Sequence, residues 1–130
     1  VKAFSDLSFV LNSIPVSFKL INMFGFLGER RDHELINLAV IHRFLRERAS
    51  VTKVVLEDKV IAYSVGEWTE KIEGVFSLFS FSQVDLELSG ACQYSITKEE
   101  SFIELSSQGL SNIGKGIVNI NTSGPLFLFN

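Results

Sequence analysis

The stretch from Glu29 to Ala49 constrains the fold more than any other part of this sequence. Glu29, Asp32 and Glu34 lie near its start and Arg43, Arg46 and Arg48 near its end, which is the charge order that the helix dipole favours. At 100° per residue, apolar side chains point in almost every direction around such a helix: Leu35, Ile36, Leu38, Ala39, Val40, Ile41, Phe44 and Leu45. The pattern predicts one long helix over residues 29–49, covered on more than one face by its own chain or by another.

After Ser50 the sequence pattern is typical of β-strands. Val84, Leu86 and Leu88 alternate with Asp85 and Glu87, as in a strand with one buried face. Short strand patterns then recur about every 8 to 12 residues with no second helix between them. The predicted fold class is therefore α+β, with one long helix packed on a predominantly antiparallel β-sheet or partial barrel, and no βαβ unit. Without a repeat or a linker, residues 1–130 are expected to form a single domain.

The charge pattern limits the classes of partner. The net charge of −3 argues against general binding of nucleic acid. From Arg30 to Lys53 there are six basic and three acidic residues, a net +3, whereas the remainder has six basic and twelve acidic residues, a net −6. Such asymmetry could steer a protein partner or a second copy of the chain. No apolar run reaches the roughly 20 residues of a membrane-spanning helix, so no transmembrane segment is expected.

No motif in the sequence identifies a chemistry. The string from Gly109 to Gly116 follows a phosphate-binding loop until its last place, where glycine replaces Ser or Thr, and Gly114 to Gly116 suggest a hairpin turn instead. His33 and His42 would lie on opposite sides of the helix, and the single cysteine, Cys92, offers no further metal ligand nearby. We therefore predict no catalytic residue, no cofactor and no metal, and the compartment of the protein cannot be read from the sequence.

The doubly apolar helix leads to the main functional hypothesis. We predict a non-enzymatic domain for protein interaction or self-assembly, with a structural or viral assembly as its setting, acting as a homo-oligomer or with a protein partner. Its predicted interface consists of Leu38, Ile41, Phe44, Leu45, Arg43, Arg46, Arg48 and Trp68. The alternative is a small apolar-ligand-binding domain or an enzyme, with a pocket between helix and curved sheet lined by some of the twelve phenylalanines.

Overall fold

A computed structural model describes residues 6–28 and 30–130 of the chain. Two helices and eight strands follow one another in the order α1 (Asp6–Asn12), β1 (Leu20–Met23), α2 (Arg31–Glu47), β2 (Lys53–Leu56), β3 (Val60–Tyr63), β4 (Gly66–Phe79), β5 (Val84–Cys92), β6 (Ser101–Phe102), β7 (Asn112–Thr122) and β8 (Leu126–Phe129). The predicted single domain includes residues outside this description and stays a prediction.

The first half of the fold is a βαβ unit. Strand β1 pairs in parallel with β2, from Leu20 opposite Lys53 to Met23 opposite Leu56, and α2 makes the crossover between them. Parallel neighbours need such a crossover, because a tight turn can only join antiparallel strands. The other strand pairs are antiparallel.

Strand β4 joins the two halves of the sheet. The strand order is β1-β2-β3-β8-β4-β7-β5-β6. The first part of β4, from Gly66 to Phe76, pairs with β7, and its last residues, Ser77 to Phe79, pair with β8. One strand of 14 residues can therefore connect the part of the sheet under the helices to the hairpins that follow.

The predicted fold class is wrong. Instead of a single long helix over residues 29–49, the described chain has two shorter helices, and its eight-stranded sheet contains a parallel pair. Helix α2 begins after Arg30 and ends before Arg48, both of which have extended backbone dihedrals, with φ −121° and −77° respectively. Glu29, where the predicted helix begins, lies outside the described residues. Neither described helix is long and apolar enough to span a membrane.

Two hydrophobic clusters stabilise the fold. One lies between the helices and the sheet and includes Leu11, Ile41, Val54 and Phe127. The other lies among strands β4 to β8 and includes Phe76, Leu88, Phe102 and Val118. Much of the phenylalanine content is therefore used in packing, because Phe76, Phe102 and Phe127 are at most 1% exposed.

The second half of the glycine-rich string, from Asn112 to Gly116, is part of β7. Gly114 lies opposite Gly74 in the pairing of β7 with β4, so the predicted hairpin turn at Gly114–Gly116 is wrong. A Cβ atom at Gly114 would lie 2.5 Å from the carbonyl oxygen of Ile72. This position is glycine because the two backbones approach too closely for any side chain.

Candidate functional site

The best candidate site lies at the carboxyl ends of the two parallel strands. Strand β1 ends at Met23 and is followed by a loop that leads into α2, while β2 ends at Leu56 and is followed by Glu57. In α/β sheets, ligands bind in the crevice outside the carboxyl ends of parallel strands. The backbone topology of the βαβ unit alone therefore indicates a ligand-binding site at this edge of the sheet.

The loop after β1 forms an open pocket of about 380 Å³ at the start of α2. Its lining residues are Gly25, Phe26, Leu27, Gly28, Arg30, His33 and Asn37. Gly25 has φ +82°, a value that other residues rarely adopt, so glycine lets the chain turn directly after the strand. From α2, the Asn37 side chain donates to the Phe26 carbonyl oxygen at 3.2 Å and ties the loop to the helix.

A carboxylate that follows the end of β2, that of Glu57, binds the backbone of this loop. One oxygen of Glu57, Oε1, accepts hydrogen bonds from the backbone N–H groups of Gly25, Phe26 and Leu27, at 2.7, 2.9 and 3.3 Å. These bonds favour the charged carboxylate and lower the pKa of Glu57, with the Leu27 N–H as the largest cause. The loop is therefore held by a negatively charged group at neutral pH.

Arg30 provides positive charge at the mouth of the pocket. Its guanidinium forms a two-pronged contact with Asp32, with Nε to Oδ1 at 3.2 Å and Nη2 to Oδ2 at 2.7 Å. This contact lowers the pKa of Asp32, and the backbone N–H of His33 lowers it further. A guanidinium has five N–H donors, and the contact with Asp32 uses two of them. The others can still bind a ligand that enters the pocket.

The arrangement suits an anion such as a phosphate group. Arginine binds phosphate oxygens through parallel N–H donors, and the start of a helix carries partial positive charge. His33 adds an exposed imidazole beside Arg30. Within residues 6–28 and 30–130, no three His, Cys, Asp or Glu side chains are close enough to hold a metal ion.

A second pocket, of about 360 Å³, lies on the outer face of the sheet. It is lined by Glu67, Trp68, Thr69, Glu87, Ser89, Asn119, Ile120 and Asn121. The register places Asn121 between Glu67 and Glu87, so two carboxylates flank one amide. This surface would repel a phosphate group, and it has no cationic side chain among its lining residues.

The apolar residues of the predicted interface are buried within the chain. Leu38, Ile41, Phe44 and Leu45 all belong to the hydrophobic cluster between helices and sheet. The face of α2 that remains exposed carries Leu35 and Ile36 instead. Whether the predicted residues also contribute to an interface stays a prediction.

The arginines of the predicted interface have different surroundings. Arg43 and Arg46 are exposed and contact Glu47, at 3.2 and 3.8 Å. Arg48 is half-buried and donates to the carbonyl oxygens of Ile14, Pro15 and Phe18. It therefore links the end of α2 to the segment that precedes β1.

Trp68, the last residue of the predicted interface, is half-buried at the start of β4. Its indole Nε1 donates to the carbonyl oxygen of Ser64 at 3.1 Å, and its ring centroid lies 5.2 Å from that of Tyr63. Its other side lines the second pocket. Trp68 therefore lies on the sheet, in β4, whereas Arg43 and Arg46 lie on α2.

Sequence reasoning missed the pocket at the start of α2. The string Phe24-Gly25-Phe26-Leu27-Gly28 reads as a turn into the helix, and His33 as one of two histidines that could not share a metal. A glycine-containing loop directly before a helix, followed by Arg30 and Arg31, was the available signal for an anion site. This signal is weak because nothing in the sequence marks β1, the strand before the loop, as parallel to β2.

Comparison with solved structures shows which proteins share this fold. The thiamine pyrophosphokinase of Bacillus subtilis matches with a TM-score of 0.71 at 20% identity, covering 98% of this chain and 63% of that chain. A protein from Lactobacillus plantarum has a TM-score of 0.71 at 15% identity, with coverage of 98% and 66%. The thiamin pyrophosphokinase of Geobacillus thermodenitrificans has a TM-score of 0.68 at 18% identity, with coverage of 98% and 61%. No family model and no curated protein matches the sequence.

These similarities correct the main functional hypothesis. The neighbours are proteins of an enzyme family, so the hypothesis of a non-enzymatic domain for structural or viral assembly is wrong. The enzyme considered as the alternative agrees better with the fold. This chain spans less than two thirds of the length of these neighbours. At such identities the similarity establishes that the chain shares its fold with the aligned part of these solved thiamine pyrophosphokinases.

Proposed function

We propose that this chain is the part of a pyrophosphoryl-transfer enzyme that holds phosphate groups in the pocket at the start of α2. The observation that carries this proposal is the fold, which matches solved thiamine pyrophosphokinases over 98% of the chain. Thiamine, named for those proteins, is the acceptor we propose here. The chain's smaller length means that residues of the complete active centre can lie outside it.

The chemistry of the pocket supports the proposal. Pyrophosphoryl transfer moves a highly charged group, and catalysis of such transfers consists mainly of positioning the phosphates and stabilising their charge. Arg30 and His33 line the pocket, and Asn37 fixes the loop that forms its wall. Arg30 would orient a phosphate by paired N–H donors, while Asp32 keeps its guanidinium at the mouth.

Replacing Arg30 with glutamine should weaken binding of inorganic pyrophosphate about tenfold, because one charge-assisted contact to the anion is lost. Isothermal titration calorimetry measures this directly. Arg43→Gln is the matched control, since Arg43 lies on the helix that Arg30 precedes, is similarly exposed and contacts only Glu47 in the described structure.

Equal affinities for the parent protein and the Arg30 variant would contradict a phosphate site at this pocket. A second titration, of thiamine into protein saturated with pyrophosphate, tests the acceptor separately. Binding would support thiamine, and its absence would contradict that part of the proposal alone.

We also propose that a second copy of the chain or another protein covers the open edge of β1. Among residues 6–28 and 30–130, β1 is the outermost strand of the sheet, and Leu20 within it is 57% exposed. Phe18 and Phe24, at either end of the strand, are exposed as well. The faces of parallel strands and the edges of sheets are normally covered, which motivates the proposal.

Light scattering after size-exclusion chromatography should give a mass above that of one chain. A monomer at every concentration would contradict self-association.

A further inference from the structure

The three N–H groups of the loop after β1 form a concave site for one anion. They belong to consecutive residues, Gly25, Phe26 and Leu27, and all point to one oxygen atom. Successive backbone N–H groups that converge in this way bind anions in many proteins. In this protein the bound group is a side chain, the Glu57 carboxylate, from 32 residues further along the chain.

Glu57 reaches the loop from a tight turn between two strands. Glu57 has φ +52° and Asp58 has φ +56°, two adjacent left-handed residues in the turn between β2 and β3. Such dihedrals are costly for residues with side chains and persist only where other contacts compensate. Two backbone contacts brace the turn: the Glu57 N–H donates to the Met23 carbonyl oxygen at 3.1 Å, and the Lys59 N–H donates to that of Leu56 at 3.0 Å. The turn thus positions the Glu57 carboxylate, at the end of β2, against the loop that follows β1.

We propose that this loop is an anion-binding site whose resident ligand is Glu57, and that Glu57 is a positioning residue for the adjacent pocket. The carboxylate accepts the hydrogen bonds of the three N–H groups and so fixes the backbone of Gly25 to Leu27. These residues form one wall of the pocket. An anion entering the pocket then meets Arg30 and His33 instead of these N–H groups. This inference goes beyond the proposed function. The binding of Glu57 by the loop does not depend on the proposed function.

Removal of the Glu57 side chain should leave the site vacant and able to bind a carboxylate from solution. We expect Glu57→Ala to melt at least a few degrees below the parent protein. Sodium formate, at on the order of 0.1 M, should recover at least half of that loss, because an anion that binds only the folded state stabilises it. In the parent protein the site is filled, so the same formate should change the melting temperature little. Glu57→Gln should lie between the two, since a neutral amide oxygen is a weaker acceptor.

Asp58→Asn provides the matched control. It removes one negative charge from the same turn, and asparagine tolerates the left-handed dihedrals that Asp58 adopts. This variant should show no recovery with formate beyond that of the parent protein. The inference would be overturned if Glu57→Ala melted like Asp58→Asn, or if formate shifted every variant equally. Either result stands apart from the pyrophosphate titrations, so it can fail while the proposed function holds.

Discussion

Replacing Arg48 with methionine is expected to lower the free energy of unfolding by about 2–3 kcal/mol. The guanidinium donates to three carbonyl oxygens, of Ile14, Pro15 and Phe18, at 3.3, 2.7 and 2.8 Å. It also donates through Nε to Thr52 Oγ1 at 2.8 Å. Methionine keeps much of the side-chain volume but leaves these acceptors without their donor. Urea denaturation followed by circular dichroism measures the difference.

Two further variants separate the hydrogen bonds of Arg48 from its charge. Arg48→Lys keeps the charge but cannot reach several acceptors with one planar group, so it should recover only part of the loss. Arg43→Met removes an exposed ion pair with Glu47 on the same helix and should cost no more than about 0.5 kcal/mol. If the Arg48 and Arg43 variants were equally stable, the link between the end of α2 and the segment before β1 would not contribute as described.

Replacing Gly114 with alanine should destabilise the protein by about 3 kcal/mol or prevent folding. The added methyl group would lie 2.5 Å from the backbone oxygen of Ile72 and 2.7 Å from its Cβ. Relief requires β4 and β7 to separate, and these strands form the longest pairing in the sheet. Thermal unfolding by calorimetry gives the measurement.

The glycine opposite Gly114 provides a control in the same pair of strands. A Cβ atom at Gly74 would meet no atom within 4 Å, although its φ of +102° is unfavourable for alanine. Gly74→Ala should therefore cost only the backbone strain, about 1–2 kcal/mol. A Gly114→Ala protein as stable as the parent would show that the two strands do not approach so closely.

Local patterns in the sequence predicted several elements of this fold. The alternation of Val84, Leu86 and Leu88 matches their burial in β5, with all three at most 3% exposed. The parallel pairing of β1 was missed for a physical reason. Strand β1 has four residues, and only Met23 is buried, so it lacks the apolar run typical of a parallel strand. Without that parallel pairing no βαβ unit is predicted, and the fold class was misassigned.

The candidate site was less accessible to prediction because its contacts are distant in sequence. Glu57 meets Gly25 across 32 residues, and nothing around Glu57 marks it as different from other surface acids. Arg30 and His33 looked like the charged start of a solvated helix. Only the parallel register of β1 and β2 brings the glycine loop, the start of α2 and Glu57 together.

The proposed function depends on the binding of phosphate groups in the pocket at the start of α2. Amide chemical shifts, followed by two-dimensional NMR during titration with inorganic pyrophosphate, measure this binding residue by residue. We predict that the largest changes occur at Gly28, Arg30 and His33 and in the side-chain amide of Asn37. Changes confined to the sheet pocket around Glu67 and Glu87, or no saturable change at all, would contradict it.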